Sequence, residues 1–336
     1  MADERVLIGR IARAVSHRLP RGLRTKVRLS IGDDAALLRP TPGRDLVLTC
    51  DAFLENAHFL ADVHPPESIG YKALARAVSD LAAMGARPLC FLLTLALPRE
   101  RTGRWLDRFL KGMSRAARRF RLALVGGDTA SHSMVAIDVT VLGEIRAGLA
   151  VTRAGARPGD VIVVSGKLGR AQLGLELVLR GLPAAAGHRR WRALLQSHLY
   201  PEPRLALGEM LAGRKLASAM IDTSDGLSTD LSHLCDASGA GAELWLDRLP
   251  AVRVPPKLLK RGLNPVALAL HGGEDYELLF TVPRRLASSV PASFRGLPLT
   301  AIGRIVRGKG VSLVGRDGRA KVLPRGGWDH FRNARR

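Results

Sequence analysis

Residues 220–231 read MIDTSDGLSTDL, and this stretch decides the fold. It joins the apolar run SAMI at 218–221 to a helical stripe of Leu227, Leu231 and Leu234. A short apolar run that passes within a few residues into helical periodicity reads as a strand-to-helix junction of an α/β chain. The polar residues at the junction carry the functional question. Asp222 closes the expected strand, and Asp225 falls in the first turn of the expected helix, where the macrodipole favours an acid. One reading is therefore a helix start. The other is that Asp222, Ser224 and Asp225 hold a metal–phosphate complex.

Comparable acids recur beside glycine elsewhere: Asp33 and Asp34 in SIGDDAALL, Asp51 in LTCDAF, Asp80 in AVSDLAAMGA, Asp128 in LVGGDTA, and Glu274 with Asp275 in HGGEDYELLF. Taken alone, Asp33 and Asp34 also read as a polar turn. Asp80 is different. Residues 67–84 repeat apolar side chains at Ile69, Ala73, Leu74, Ala77, Val78 and Leu81, with Gly85 as the stop, so Asp80 lies near a helix C-terminus. Carbonyl dipoles there oppose a carboxylate, and a cation, either Arg or a metal, is expected beside it. Carboxylates gathered together repel unless a multivalent cation neutralises them. Oxygen donors without His or Cys spacing point to Mg²⁺, which shares its shell with water and phosphates. A nucleotide follows. No G-x-x-x-x-G-K-[ST] occurs and no G-x-G-x-x-G follows a strand, so the phosphates would be held through metals, with Gly32, Gly126 and Gly127 permitting close approach.

The rest of the chain sets the frame. Its 336 residues, 46% of them hydrophobic, suffice for two domains. Runs at 46–51, 122–125 and 135–142 suit strands, and after ARPGD at 156–160 a second unit begins with VIVVSG and the helical pattern AQLGLELVLRG. Residues 181–203 give little signal, while 251–263 and 284–298 read as Pro-rich connections and a variable helix. The expected domains are 1–148, for metal, ATP and dimerisation, and 149–336, completing the active site. Cys50, Cys90 and Cys235 lack metal or disulfide spacing, which suits a reducing cytoplasm. The N-terminus carries charges through its apolar positions, and the longest apolar stretch, CFLLTLAL at 90–97, is too short to span a bilayer. A net charge of +22 raises nucleic acid as a partner. Against this, the arginines between Arg99 and Arg121 are spread along polar helix faces, and aromatic content is only 4%, leaving little for bases to stack on.

The ordered series IGDD, TCD followed by NAHF, YKALARAVSDLAAMGARP, VGGDT, TRAGARPGD, IDTSDGL, GGEDYEL and GWDHF resembles the thiamine-monophosphate kinase family, within the aminoimidazole ribonucleotide synthetase-like superfamily. The resemblance runs from about residue 30 to 331. It implies two α+β domains: an N-terminal sheet that closes a barrel with a second subunit, and a C-terminal mixed sheet with helices. It implies ATP as co-substrate, Mg²⁺, and direct in-line transfer of the γ-phosphoryl group to thiamine monophosphate by a homodimer. Carried over residue by residue, it implies metal ligation by Asp34, Asp51, Asp80, Asp128, Asp222 and Asp225, with help near Thr49 and Cys50. It further implies ATP contacts from Gly127, Asp128, Arg153 and Ser224, and thiamine contacts from His58, Glu274 and Trp328. Asp51, Asp128 and Arg153 would serve catalysis, since phosphoryl transfer asks for positioning and charge neutralisation more than for a strong base.

Two positions depart from the family pattern. Cys50 stands where a hydroxyl residue is usual, and Ala77 replaces a frequent amide, so metal affinity is in doubt at both. Among rivals, a selenophosphate synthetase would carry a reactive Cys in an N-terminal glycine-rich segment and the hydrogenase factor a cysteine tail, and this chain has neither. A ribonucleotide cyclo-ligase would not need the pair GGEDYEL and GWDHF. Outside the superfamily, a basic nucleic-acid-binding protein is the alternative.

Overall fold

The structure, a computed structural model, describes residues 4–15, 23, 25–181, 189–329 and 331. The chain divides into two compact units, Met1–Leu81 with Ala86–Gly148, and Ala82–Gly85 with Leu149–Arg336.

In the first unit the elements run α1 (Glu4–Val15), β1 (Val27–Leu29), β2 (Leu37–Leu38), β3 (Arg44–Leu54), α2 (Pro66–Met84), β4 (Arg87–Leu97), α3 (Arg104–Phe120), β5 (Ala123–Ser131) and β6 (Ala136–Arg146). The main sheet has the order β3-β6-β4-β5 and is open, so the barrel that the resemblance implies is not closed within the chain. Only β4 and β5 run parallel, as their helical crossover α3 requires. α2 buries the apolar stripe expected of it, and Gly85, at φ +74°, ends the helix where a side chain would be strained. α2 and α3 meet backbone to backbone: a Cβ on Gly112 would stand 1.8 Å from the Glu67 carbonyl oxygen. α3 buries Leu106, Phe109, Leu110, Met113 and Ala117 and exposes Arg104, Arg108, Arg115, Arg118 and Arg119, so these arginines form the solvated face of an amphipathic helix.

Two strands run further than the sequence suggests. β3 continues three residues past Asp51, and β5 continues through Gly126, Gly127 and Asp128, so neither acid lies at a strand end. Along β3, Val47 and Phe53 are buried, whereas Leu46, Leu48, Cys50, Ala52 and Leu54 are exposed. The alternation is regular, but the outward face is apolar too. Leu46, Leu48, Leu54 and, from β4, Leu92 are 36–62% exposed.

The second unit runs β7 (Val161–Ser165), α4 (Arg170–Leu179), α5 (Arg189–Leu199), α6 (Leu205–Gly213), β8 (Ala219–Asp222), α7 (Leu227–Ser238), β9 (Gly241–Trp245), α8 (Pro256–Leu259), α9 (Pro265–His271), β10 (Leu278–Val282), β11 (Ser293–Phe294), β12 (Leu297–Val306), β13 (Gly310–Val314) and β14 (Ala320–Val322). Its mixed sheet has the order β14-β13-β9-β12-β7-β10-β8, with β11 beside β12 and only β13 and β9 parallel. Leu227, Leu231 and Leu234 of α7 enter a core with Ile162 and Val164 of β7, Ile221 of β8 and Leu279 of β10. The weak region 181–203 contains α5, residues 182–188 lying outside those described. Among the described residues no helix is long and apolar enough to cross a membrane.

Candidate active site

In the first unit two groups of the expected residues form on opposite faces of the main sheet. Thr49 and Asp51, two apart on β3, face α2. The Thr49 hydroxyl donates to Asp80 Oδ2 at 2.5 Å, so the helix-end carboxylate has a hydroxyl beside it. Asp51 accepts Arg76 Nη2 on Oδ1 at 2.9 Å and Arg76 Nε on Oδ2 at 3.0 Å. That guanidinium also lies 5.0 Å from the Phe53 ring centroid. Arg76, one turn before Asp80 on the same helix, thus places its guanidinium on Asp51.

Cys50 does not join Thr49, Asp51 and Asp80. Period-two alternation turns its side chain to the other face, where the thiol donates to Asp138 Oδ1 at 3.0 Å and accepts the Thr140 hydroxyl at 3.2 Å. The bond to Asp138 pushes the thiol up. Asp34, Gly127 and Asp128 come together on that face, lining a cavity of about 800 Å³ with Gly32, Leu92 and Thr140. Gly127, at φ +149°, is required there: a Cβ would stand 1.9 Å from the Leu93 carbonyl oxygen. His58 closes the turn after β3, its Nδ1 accepting the Leu54 N–H at 3.0 Å and its ring 5.6 Å from that of Phe53.

In the second unit the two most specific motifs form one loop cluster. Asp222 ends β8 as the apolar run suggests and is buried. Asp225, in contrast, precedes α7, which starts at Leu227. It therefore has no part in the first helical turn. Asp230 occupies that turn and accepts the N–H groups of Asp225 at 3.2 Å and Gly226 at 3.0 Å. Burial, then the Asp222 and Asp225 carboxylates, push the Asp230 carboxyl well above the usual range, which places the three acids in one electrostatic neighbourhood.

The GGEDYEL loop lies against this turn. Glu274 N–H donates to the Ser224 carbonyl at 2.7 Å, Tyr276 N–H to that of Thr223 at 2.9 Å, and Thr223 N–H to that of Glu277 at 2.8 Å. Glu274 and Tyr276 adopt φ of +66° and +50°, a conformation that non-glycine residues keep only where surroundings enforce it. Three anchors do so. Asp275 accepts the N–H groups of Gly169 at 2.5 Å and Ala171 at 2.8 Å at the start of α4. Glu277 takes the Arg204 guanidinium on both oxygens and the Ser165 hydroxyl. Glu274 Oε2 lies 3.3 Å from Nδ1 of the buried His198 on α5. The Trp328 backbone N–H donates to the Asp225 carbonyl at 2.9 Å, and the residue is 39% exposed. His330, in the same terminal motif, lies outside the described residues. Arg153 is exposed; burial, then the charges of Arg325 and Arg153, hold the His233 imidazole below its usual range. Asp225 acts on the same imidazole with opposite sign.

Among the described residues no three His, Cys, Asp or Glu side chains are already gathered as a metal cage. The oxygen donors in two places, Asp80 with Thr49 on one side and Asp222 and Asp225 around Asp230 on the other, are hard. Mg²⁺ fits such a set, because it keeps several waters and takes one or two carboxylates together with substrate phosphates.

Sequence reasoning missed Arg76, Asp230 and His198. Only Asp230 carried a local signal, an acid in the first turn of a helix.

The chain matches two family models, "AIR synthase related protein, N-terminal domain" at residues 32–145 and "AIR synthase related protein, C-terminal domain" at residues 157–316. It is 40% identical to the thiamine-monophosphate kinase of Salmonella typhimurium over 314 residues, 93% of this chain and 94% of that protein. Its fold superposes on the crystal structure of thiamine-monophosphate kinase from Stenotrophomonas maltophilia K279a with a TM-score of 0.80 and 38% identity, covering 94% of this chain and 96% of that one. A structure described as AaThiL complexed with AMPPCP and TMP gives 0.75 and 36% identity, covering 98% and 97%. With identity at this level sustained across both units, the chain belongs to the thiamine-monophosphate kinase family of AIR synthase related proteins.

Proposed function

We propose that the chain is an ATP-dependent phosphotransferase that moves the γ-phosphoryl group of ATP onto the phosphate of thiamine monophosphate, giving thiamine diphosphate and ADP. The observation that carries this reading is the loop cluster in which Asp222, Ser224, Asp225, Glu274 and Trp328 meet, in a chain of the same family as an enzyme solved with AMPPCP and TMP.

In this reading the domains are 1–148 and 149–336. Asp51 and Asp80 on the helix face of the N-terminal sheet, Asp34 and Asp128 on its other face, and Asp222 and Asp225 in the second unit are three groups of carboxylates, each of which would hold Mg²⁺. When bound, the ion supplies neutralisation of phosphate charge. Thr49 orients Asp80, and Cys50 takes no side-chain part. Gly127 and Asp128 line the cavity that would take the nucleotide, Ser224 offers a hydroxyl to a phosphate, and Arg153 a charge. Asp51, Asp128 and Arg153 serve transfer by position and electrostatics, which is what in-line displacement asks of a protein. Trp328 presents a π face to the cationic thiazolium, with Glu274 as a counter-charge and His58 as a further thiamine contact.

The exposed leucines of the N-terminal sheet support a homodimer in which a second copy covers that face. Three free cysteines support a reducing, cytoplasmic setting. Incubation with ATP, Mg²⁺ and thiamine monophosphate, followed by product identification, tests the activity. Stoichiometric thiamine diphosphate and ADP are expected, and ADP with free phosphate alone would overturn it.

A further inference from the structure

The C-terminal segment is seated on the turn that carries Asp225 through three successive backbone donors. Gly326 N–H donates to Ser228 Oγ at 3.2 Å, Gly327 N–H to Thr229 Oγ1 at 3.1 Å, and Trp328 N–H to the Asp225 carbonyl at 2.9 Å. From the other side, Asp230 Oδ2 accepts the Asp225 N–H. Both backbone polar groups of Asp225 are thus committed, one to the helix and one to the strap.

The seat is tight. A Cβ on Gly327 would stand 1.9 Å from the Asp225 carbonyl oxygen and 2.7 Å from Thr229 Oγ1, and one on Gly326 would stand 2.6 Å from His271 Nδ1. That nitrogen is in turn 2.9 Å from Ser228 Oγ. A terminal segment docked merely for stability usually buries its large apolar side chains. Here Trp328 is 39% exposed and Phe331 98% exposed, and the N–H groups of residues 326–328 make the contacts to the turn. The arrangement presents an indole at a fixed distance from the turn that bears Asp225.

We propose that Ser228 and Thr229 are positioning residues that tie the Trp328 indole to the Asp225 turn, so that the aromatic end of the acceptor and the Mg²⁺–nucleotide end of the site bind cooperatively. This rests on the reading of Trp328 and Asp225 given above. A ligand that fixes the turn also fixes the strap, so a second ligand meets an indole already ordered. By linkage the enhancement is reciprocal.

The test uses the full chain and four titrations: thiamine monophosphate alone, Mg²⁺ with AMPPCP alone, and each in the presence of the other at saturation. In the unaltered protein each ligand is expected to tighten the other by about 5-fold or more. Thr229→Val keeps the shape of the side chain but removes the acceptor for Gly327 N–H. It is expected to bind each ligand singly within about 3-fold of the unaltered protein while the mutual enhancement falls below about 2-fold. Thr229→Ser restores the acceptor and the coupling, and Ser228→Ala gives an independent second loss at the Gly326 contact. Undiminished coupling in both Thr229→Val and Ser228→Ala overturns the proposal, as does absence of coupling in the unaltered protein. Failure of either ligand to bind, both alone and in the presence of the other, refutes the kinase reading itself, and this inference with it.

Discussion

Arg76 grips Asp51 by both carboxylate oxygens, from one turn before Asp80 on the same helix. The pair is partly buried, with side chains 11% and 25% exposed, and a bidentate guanidinium–carboxylate contact is among the stronger charge-assisted arrangements. A metal that uses Asp51 competes with it. Arg76→Gln is therefore expected to lose about 1–3 kcal/mol of stability in EDTA, because Asp51 is left without its cation. It should recover more of that stability in Mg²⁺ than the unaltered protein gains. Urea unfolding with EDTA and with Mg²⁺ checks this, and equal stabilisation of both proteins by Mg²⁺ would remove Asp51 from the metal site.

Asp230 does the work at the start of α7 that helix physics would otherwise assign to Asp225. Asp230→Ala leaves the N–H groups of Asp225 and Gly226 without that acceptor and is expected to cost about 1–3 kcal/mol while raising the KM for Mg·ATP. Asp225→Asn, which touches no helix cap, should leave stability nearly unchanged and lower turnover by two orders of magnitude or so, as loss of charge stabilisation at a phosphoryl centre does. Melting curves and single-turnover rates on both variants separate the roles. A destabilised Asp225→Asn with intact rates would reverse them.

Asp275 gives a pH signature. Burial pushes its carboxyl up from 3.8 to about 7, against the pull of the Ala171 and Gly169 N–H groups. Between those values the folded chain keeps a proton that the unfolded chain has released. The contribution to stability is thus full below about pH 4, declines as pH rises, and is gone above about pH 7. In mid-window the slope approaches about 1.4 kcal/mol per pH unit. Asp275→Asn does not titrate and should lack that slope in urea unfolding between about pH 5 and 6.5. Identical slopes in the two proteins would place the titration elsewhere.

How much of this was legible in the sequence depends on whether the signal was local. The end of β8 at Asp222 was legible because the apolar run SAMI stops there. The ends of β3 and β5 were not: the outward face of β3 carries leucines, so no polar alternation marks where the strand continues, and the apolar run 122–125 stops at Gly126–Gly127 although both lie within β5. Reading α7 as starting two residues early gave the first helical turn to Asp225 and hid Asp230. Arg76 looked like one polar position among many, since its partner is 25 residues away and only tertiary packing joins them. Motif content, by contrast, identified the family, because GGEDYEL and SDLAAMGA each combine several unusual backbone and side-chain demands in one short span.

The apolar outward face of the N-terminal sheet is the last feature that calls for a partner. Leu48 is 62% exposed at the centre of β3, with Leu46 and Leu54 on the same face of that strand. Burying a leucine is worth about 1.5–3 kcal/mol, so leaving three exposed on one strand face is costly unless another surface covers them. A second copy that covers the same strand supplies six leucines to one interface, and its symmetry makes each substitution count twice. Leu48→Asp is expected to shift the protein from dimer to monomer in sedimentation velocity at micromolar concentration, since two carboxylates would have to be buried close together without cations. Leu48→Met, similar in volume and still apolar, should remain dimeric. A Leu48→Asp protein that sediments as the same dimer as the unaltered chain would show that the interface lies on another face.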